Sequence, residues 1–167
     1  MATREPQPRR RHAAFGVGLK HFVWGGYGNE IQTKDIETLD ISSGRWEQPQ
    51  PLQGSLPDRL EGMAVTSDGE MAYTFGGYRG STRINSVYEI NPRTLKCEEI
   101  LPVSSYSPTG MSSSAIVCFN RKLIVYGGNT DQGRSDDLLV FDLRKSECIG
   151  TAGLFMSGVR YTRGGIF

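Results

Sequence analysis

Two histidines, three cysteines and a run of three serines are the side chains of this 167-residue sequence with most scope for catalysis or metal binding. His12 and His21 are too few for a zinc site unless cysteines or carboxylates join them, and no spacing of that kind surrounds them. Cys97 stands beside Lys96, so it is the thiol best placed for a lowered pKa and reactivity. Ser112-Ser113-Ser114 lacks the G-x-S-x-G elbow that exposes a nucleophilic serine. Gly25-Gly26-Tyr27-Gly28 follows an apolar run, but the G-x-G-x-x-G phosphate fingerprint is missing and no helix follows. These observations predict a non-enzymatic protein with no catalytic residue, no metal and no cofactor.

Charge narrows the partners. Lys+Arg total 19 against 18 Asp+Glu, a net charge of +1, so no footprint for nucleic acid is expected. No apolar run reaches the roughly 20 residues needed to cross a bilayer, so no membrane partner is expected. Arg9-Arg10-Arg11 reads as a solvated cluster leading into the first strand, with a nuclear address or a phosphate contact as the alternative. Cys97, Cys118 and Cys148 are odd in number, no N-x-[ST] acceptor is present and no secretory h-region opens the chain. The expected location is a reducing compartment, cytoplasmic with a nuclear alternative.

The elements that must position any site are set by a repeat. The diglycines Gly25-Gly26, Gly76-Gly77 and Gly127-Gly128 recur every 51 residues, each after a short apolar strand ending in an aromatic: Trp24, Phe75 and Tyr126. About ten polar loop residues follow, then a second strand ending on Asp40, Asn91 or Asp142, and six residues later Trp46, Cys97 or Cys148. A less regular strand opens each unit, over residues 12–17, 63–66 and 114–119, and proline-containing connectors run over 48–58 and 101–109. Each unit offers about four short strands, and such a sheet must stack on its neighbours to bury both faces. Glycines at the strand end permit positive φ and close backbone approach. The Asp/Asn position suits a turn in which the side chain accepts from backbone N–H groups further on. Cys97 and Cys148 share the phase of Trp46, so they are expected as small apolar fillers in its slot.

A period near 50, a strand ending in Gly-Gly, a later Asp and a Trp six residues on resemble the kelch repeat. Phe22-Val23-Trp24-Gly25-Gly26-Tyr27, Asp40 and Trp46 match most closely, and Arg11-His12 fits the Arg…His opening of many kelch units. The later units keep Gly76, Gly77, Asn91, Gly127, Gly128 and Asp142 but not the tryptophan or the opening pair. The resemblance covers residues 9–150. It implies an all-β fold, an incomplete kelch-type β-propeller of three four-stranded blades plus the start of a fourth. The expected division is a flexible segment over 1–8, repeats over 9–58, 59–109 and 110–157, and the first strand of an incomplete fourth repeat over 158–167.

Kelch propellers usually close with five to seven blades. Three blades therefore point to a piece of a longer propeller or to self-association of copies that completes the ring. In the family, the loops after the diglycines project around the central channel and bind protein or peptide ligands. Here that implies residues 27–34, 78–85 and 129–136, with Tyr27, Tyr78, Arg79, Arg83 and Arg134 as binding residues suited to a carboxylate or an acidic peptide. The resemblance implies a protein–protein interaction module, as in the substrate-recognition propellers of cullin–RING ubiquitin ligases that capture peptide termini. The alternatives are an actin- or cytoskeleton-binding kelch protein and a truncated fragment with no independent function.

Overall fold

The computed structural model describes residues 5–28, 35–55, 60–101 and 106–150. The expected fourth-repeat strand over 158–167 lies outside the described residues, as do residues 29–34 of the first loop. The first sheet holds β1 (Ala13–Val17), β2 (Lys20–Trp24), β3 (Asp35–Asp40), β4 (Arg45–Trp46) and β5 (Gln50–Pro51). Next comes β6 (Gln53–Gly54). The second unit contributes β7 (Ala64–Ser67), β8 (Ala72–Phe75), a small hairpin of β9 (Tyr78–Arg79) and β10 (Thr82–Arg83), β11 (Val87–Asn91) and β12 (Lys96–Ile100). The third holds β13 (Ala115–Phe119), β14 (Lys122–Thr130), β15 (Gly133–Asp142) and β16 (Glu147–Gly150). No helix occurs among the described residues, and no sheet closes on itself.

Each unit is an antiparallel meander in chain order, from β1 to β4, from β7 through β8 and β11 to β12, and from β13 to β16. The turn after the third strand is built the same way in each. Asp40 Oδ1 accepts from the Ser43 N–H, Asn91 Oδ1 from Arg93 and Thr94, and Asp142 Oδ1 from Arg144. A short acceptor side chain at this position supplies the bonds that the turn's backbone lacks.

Sheet faces alternate residue by residue, so each middle strand feeds two cores. Phe15, Phe22, Trp24 and Ile36 of the first sheet pack against Ala72, Tyr88, Ile90 and Cys97 of the second. Tyr73, Phe75 and Val87, on the other face of the second sheet, pack against Leu123, Val125, Leu139, Phe141 and Cys148 of the third. Leu60 and Met111, 51 residues apart, fill the inner end of each core from the connectors. The three sheets are thus successive blades of an open, all-β propeller.

Two features depart from the sequence expectation. The first connector is not plain loop: β5 adds to β3, and β6 runs parallel to β12, so residues 50–54 tie the outer edge of one blade to the next. Gly54 makes this crossing feasible, since its φ is +103° and a Cβ there would lie 2.2 Å from the Cys97 carbonyl oxygen. The loops after the second and third diglycines also pair. Residues 129–136, expected as loop, continue the β14–β15 ladder, which shifts register between Tyr126 and Gly128 and then resumes. The bulge at the diglycine absorbs the twist so that the hairpin can extend. Thr130 closes its tip, accepting from the Gln132 N–H and donating to the Gly133 carbonyl.

Candidate functional site

The inner ends of the blades are held by a backbone pattern that repeats with the sequence. Arg10, Glu61 and Ser112 precede the opening strands, and each bridges the residue that follows a diglycine: Tyr27, Tyr78 and Asn129. Both bonds of each bridge are present, for example Tyr27 N to Arg10 O at 2.8 Å and Tyr78 N to Glu61 O at 2.7 Å. The next residue steps from blade to blade. Gly62 N donates to Arg11 O and Ser113 N to Gly62 O, both at 2.8 Å. Arg11, Gly62 and Ser113 all take positive φ, from +57° to +66°, to aim these groups around the propeller axis.

This frame gathers a cationic and aromatic cluster. The Arg10 guanidinium lies 5.2 Å from the Tyr27 ring centre. Tyr78 is flanked by two arginines, Arg11 at 5.7 Å and Arg83 at 4.6 Å. Rings in such positions favour a cation electrostatically and hold its planar group in place. Arg83 is further fixed by its Nε, which donates to Oγ of the buried Ser112 at 3.3 Å, and by an ion pair with Asp131. Asp131 sits on the exposed tip of the β14–β15 hairpin. Arg11 also faces Glu61 at 3.5 Å. The site therefore presents guanidinium groups over aromatic rings, and two of them, Arg11 and Arg83, already face carboxylates.

Of the residues expected to bind, the structure brings Tyr78 and Arg83 together and places Tyr27 in the analogous position one blade earlier. Arg79 and Arg134 are exposed, on β9 and β15, and although their backbones pair in the ladders, their side chains make no hydrogen bond, ion pair or ring contact with the described residues. Arg10 and Arg11 are exposed, as expected of a solvated lead-in, and their guanidinium groups also join the cluster. The signal that finds them is a spacing: residues 10/27, 61/78 and 112/129 are all 17 apart and all bridged.

Cys97 and Cys148 are the buried fillers that their phase with Trp46 implies, not reactive thiols. Cys97 is fully buried, and burial first, then Glu98 and Glu99, push its pKa up to about 12. Lys96 is turned to Glu98, 2.5 Å away, rather than to the thiol. Cys148 is buried as well and is raised to about 11 by burial. Both occupy the core in the phase of Trp46. Among the described residues no group of three or more His, Cys, Asp or Glu side chains could hold a metal.

The comparisons with known proteins agree with this architecture. A family model described as the KLHDC2/KLHL20/DRC7 Kelch-repeats domain matches residues 1–149. The chain belongs to this kelch-repeat family. It is similar to the leucine-zipper-like transcriptional regulator 1 homolog of Drosophila melanogaster, 29% identical over 147 residues, covering 84% of this chain and 15% of that protein. Kelch domain-containing protein 1 of Homo sapiens is 30% identical over 132 residues, 73% of this chain and 32% of that protein. Kelch domain-containing protein 2 of Homo sapiens is 25% identical over 136 residues, 74% and 33% respectively. The chain spans a third or less of these three relatives. Kelch-repeat domains are in general protein-interaction modules, and this chain is a protein-interaction module of kelch type.

Proposed function

We propose that the inner loop face captures a peptide through a carboxylate, either an acidic side chain or a free C-terminus. The observation that carries this is Arg83, fixed between the Tyr78 ring and buried Ser112 and already holding the Asp131 carboxylate. A guanidinium with one nitrogen tied down is pre-organised for planar, two-point binding of a carboxylate. Asp131, on an exposed hairpin tip, is the internal occupant that an incoming carboxylate would displace. Arg10, Arg11, Tyr27 and Tyr78 supply the cationic and aromatic surroundings of a binding hot spot. Within the family, this reading fits a role in substrate recognition for a cullin–RING ubiquitin ligase. Three free cysteines fit a cytoplasmic or nuclear setting for it.

The test uses fluorescent hexapeptide pools with free C-termini beside the same pools amidated, and pools rich in Asp and Glu beside neutral ones, read by anisotropy. Arg83→Ala weakens binding of the free or acidic pools by at least about tenfold. Asp131→Ala strengthens it, because the internal competitor is gone. Binding indifferent to both substitutions would overturn the proposal.

A further inference from the structure

The β9–β10 hairpin joins the two central residues of the candidate site, and its tip carries a hydroxyl that peptide capture does not use. Tyr78 pairs with Arg83, and Arg79 pairs with Thr82. Directly paired residues share a face of their ladder. Tyr78 and Arg83 therefore share one face, where the Arg83 guanidinium lies 4.6 Å from the ring centre. Arg79 and Thr82 share the other. Arg79, Gly80, Ser81 and Thr82 are all exposed. Gly80 takes a φ of +68°, and apart from its chain neighbours no described atom lies within 4 Å of where its Cβ would stand, so the tip projects away from the blades.

We propose that Thr82 is a phosphorylation site for a serine/threonine kinase that reads an arginine three residues before its acceptor, and that the phosphate is held by Arg79 and weakens carboxylate capture at Arg83. Three observations carry this. Of all the serines and threonines in the sequence, only Thr82 and Ser86 have an arginine three positions earlier. Ser86 is half-buried and its hydroxyl already donates to Glu99 at 2.5 Å, whereas the Thr82 hydroxyl has no hydrogen-bond partner among the described residues. The second is access. A kinase takes its acceptor as an extended segment, and β9 and β10 form a separate sheet of two residue pairs. Such a hairpin is marginal by itself. No residue from 79 to 82 belongs to either core, so the tip can open while the blade stays folded. The third is the counter-charge. The Arg79 side chain has no ion pair among the described residues, and paired residues stand with Cβ atoms roughly 4.5–5.5 Å apart, within reach of a phosphate on Thr82.

In the transfer, the Thr82 hydroxyl oxygen attacks the γ-phosphorus of ATP. The bond from that phosphorus to its bridging oxygen breaks, ADP leaves with the electron pair, and the hydroxyl proton passes to a base of the kinase. The product carries about −1.5 to −2 charges at pH 7. Thr82 adjoins Arg83 in the chain, and the neighbouring hairpin tip already offers Arg83 the Asp131 carboxylate. A second anion within roughly a Debye length, about 8–10 Å, repels an incoming carboxylate. This last effect rests on the peptide reading above; the modification itself does not.

The test incubates the folded chain with ATP and activated calmodulin-dependent protein kinase II, a kinase of this specificity, and places the phosphate by fragmentation mass spectrometry. One phosphate per chain is expected, on Thr82. Thr82→Ala loses it, and Arg79→Ala slows its incorporation at least about tenfold. By phosphorus NMR, the second ionisation of the phosphothreonine falls at lower pH in the folded chain than in the phosphorylated peptide of residues 76–87, because Arg79 held opposite favours the dianion. The phosphorylated chain binds the acidic peptide pools at least about threefold more weakly at about 0.15 M salt, and higher salt narrows the gap. No incorporation, incorporation only at other residues, a rate indifferent to Arg79→Ala, or equal titration in chain and peptide would overturn the site. Unchanged peptide binding after phosphorylation would overturn its effect at Arg83. A chain that binds no peptide before modification overturns the peptide reading and that effect with it, while the labelling still decides the site.

Discussion

Replacing Gly76 with alanine destabilises the fold by about 3 kcal/mol or more, whereas the same change at Gly127 costs about 1 kcal/mol. The two positions share sequence phase and backbone conformation, with φ of +66° and +62°. The left-handed strain of a Cβ is therefore common to both. What differs is the neighbour. At Gly76 the added carbon would lie 2.3 Å from the Met111 carbonyl oxygen and 3.2 Å from its carbon, backbone atoms fixed by the bond from Gly77 N to Met111 O. Relief would require the second and third blades to separate. At Gly127 the nearest atom among the described residues stands 3.3 Å away, a contact that a shift of a few tenths of an ångström relieves. Urea unfolding of both variants gives the comparison. Equal losses would mean that the diglycine serves the turn alone and not the approach of blades.

The aromatic before each diglycine gives the second large effect. Phe75→Ala is expected to cost about 3–5 kcal/mol, and Tyr126→Ala no more than about 0.5 kcal/mol. Phe75 is 1% exposed and packs on Phe141 with ring centres 5.4 Å apart. Tyr126, at the same position of the repeat, is 56% exposed. Truncating the first opens a cavity between two sheets, and truncating the second removes surface that water already reaches. Urea midpoints of the two variants check this contrast. A large loss at Tyr126 would show a covering layer that the described residues do not contain.

The 51-residue phase made the blades legible because it rests on local rules. Glycine pairs mark positive φ, an aromatic marks the end of a buried strand, and Asp40, Asn91 and Asp142 close their own turns. These choices need no knowledge of what lies across the interface. The burial of Cys97 and Cys148 followed from the same phase, by analogy with Trp46. The parts that escaped are those fixed by neighbours distant in sequence. Residues 50–54 lack the alternation of a strand, and they pair only because two blade edges lie beside them. Arg10 and Arg11 are solvent-exposed as expected, but their contacts with the Tyr27 and Tyr78 rings, 17 and 67 residues further along, are not legible locally. The tie from Arg83 to Ser112 and Asp131 crosses a blade boundary, and no periodicity of side chains within one unit announces it. Arg79 and Arg134 were chosen for residue type and loop position alone, and neither is drawn into the cluster.

Hydrogen exchange at the inner blade junctions tests the central claim most directly, namely that the three repeats stack in register through their backbone at the propeller axis. Gly62, Gly77 and Ser113 lie outside the strands, so isolated sheets would leave their amides fast. In the stacked arrangement Gly62 N binds Arg11 O, Gly77 N binds Met111 O and Ser113 N binds Gly62 O, at 2.8, 2.7 and 2.8 Å. The account predicts that these three amides exchange slowly, together with the amides of β8, β11 and β14, because opening any one requires two blades to part. Fast exchange at Gly62, Gly77 and Ser113 beside protected strand amides would contradict it, showing three sheets that fold but do not join at the axis.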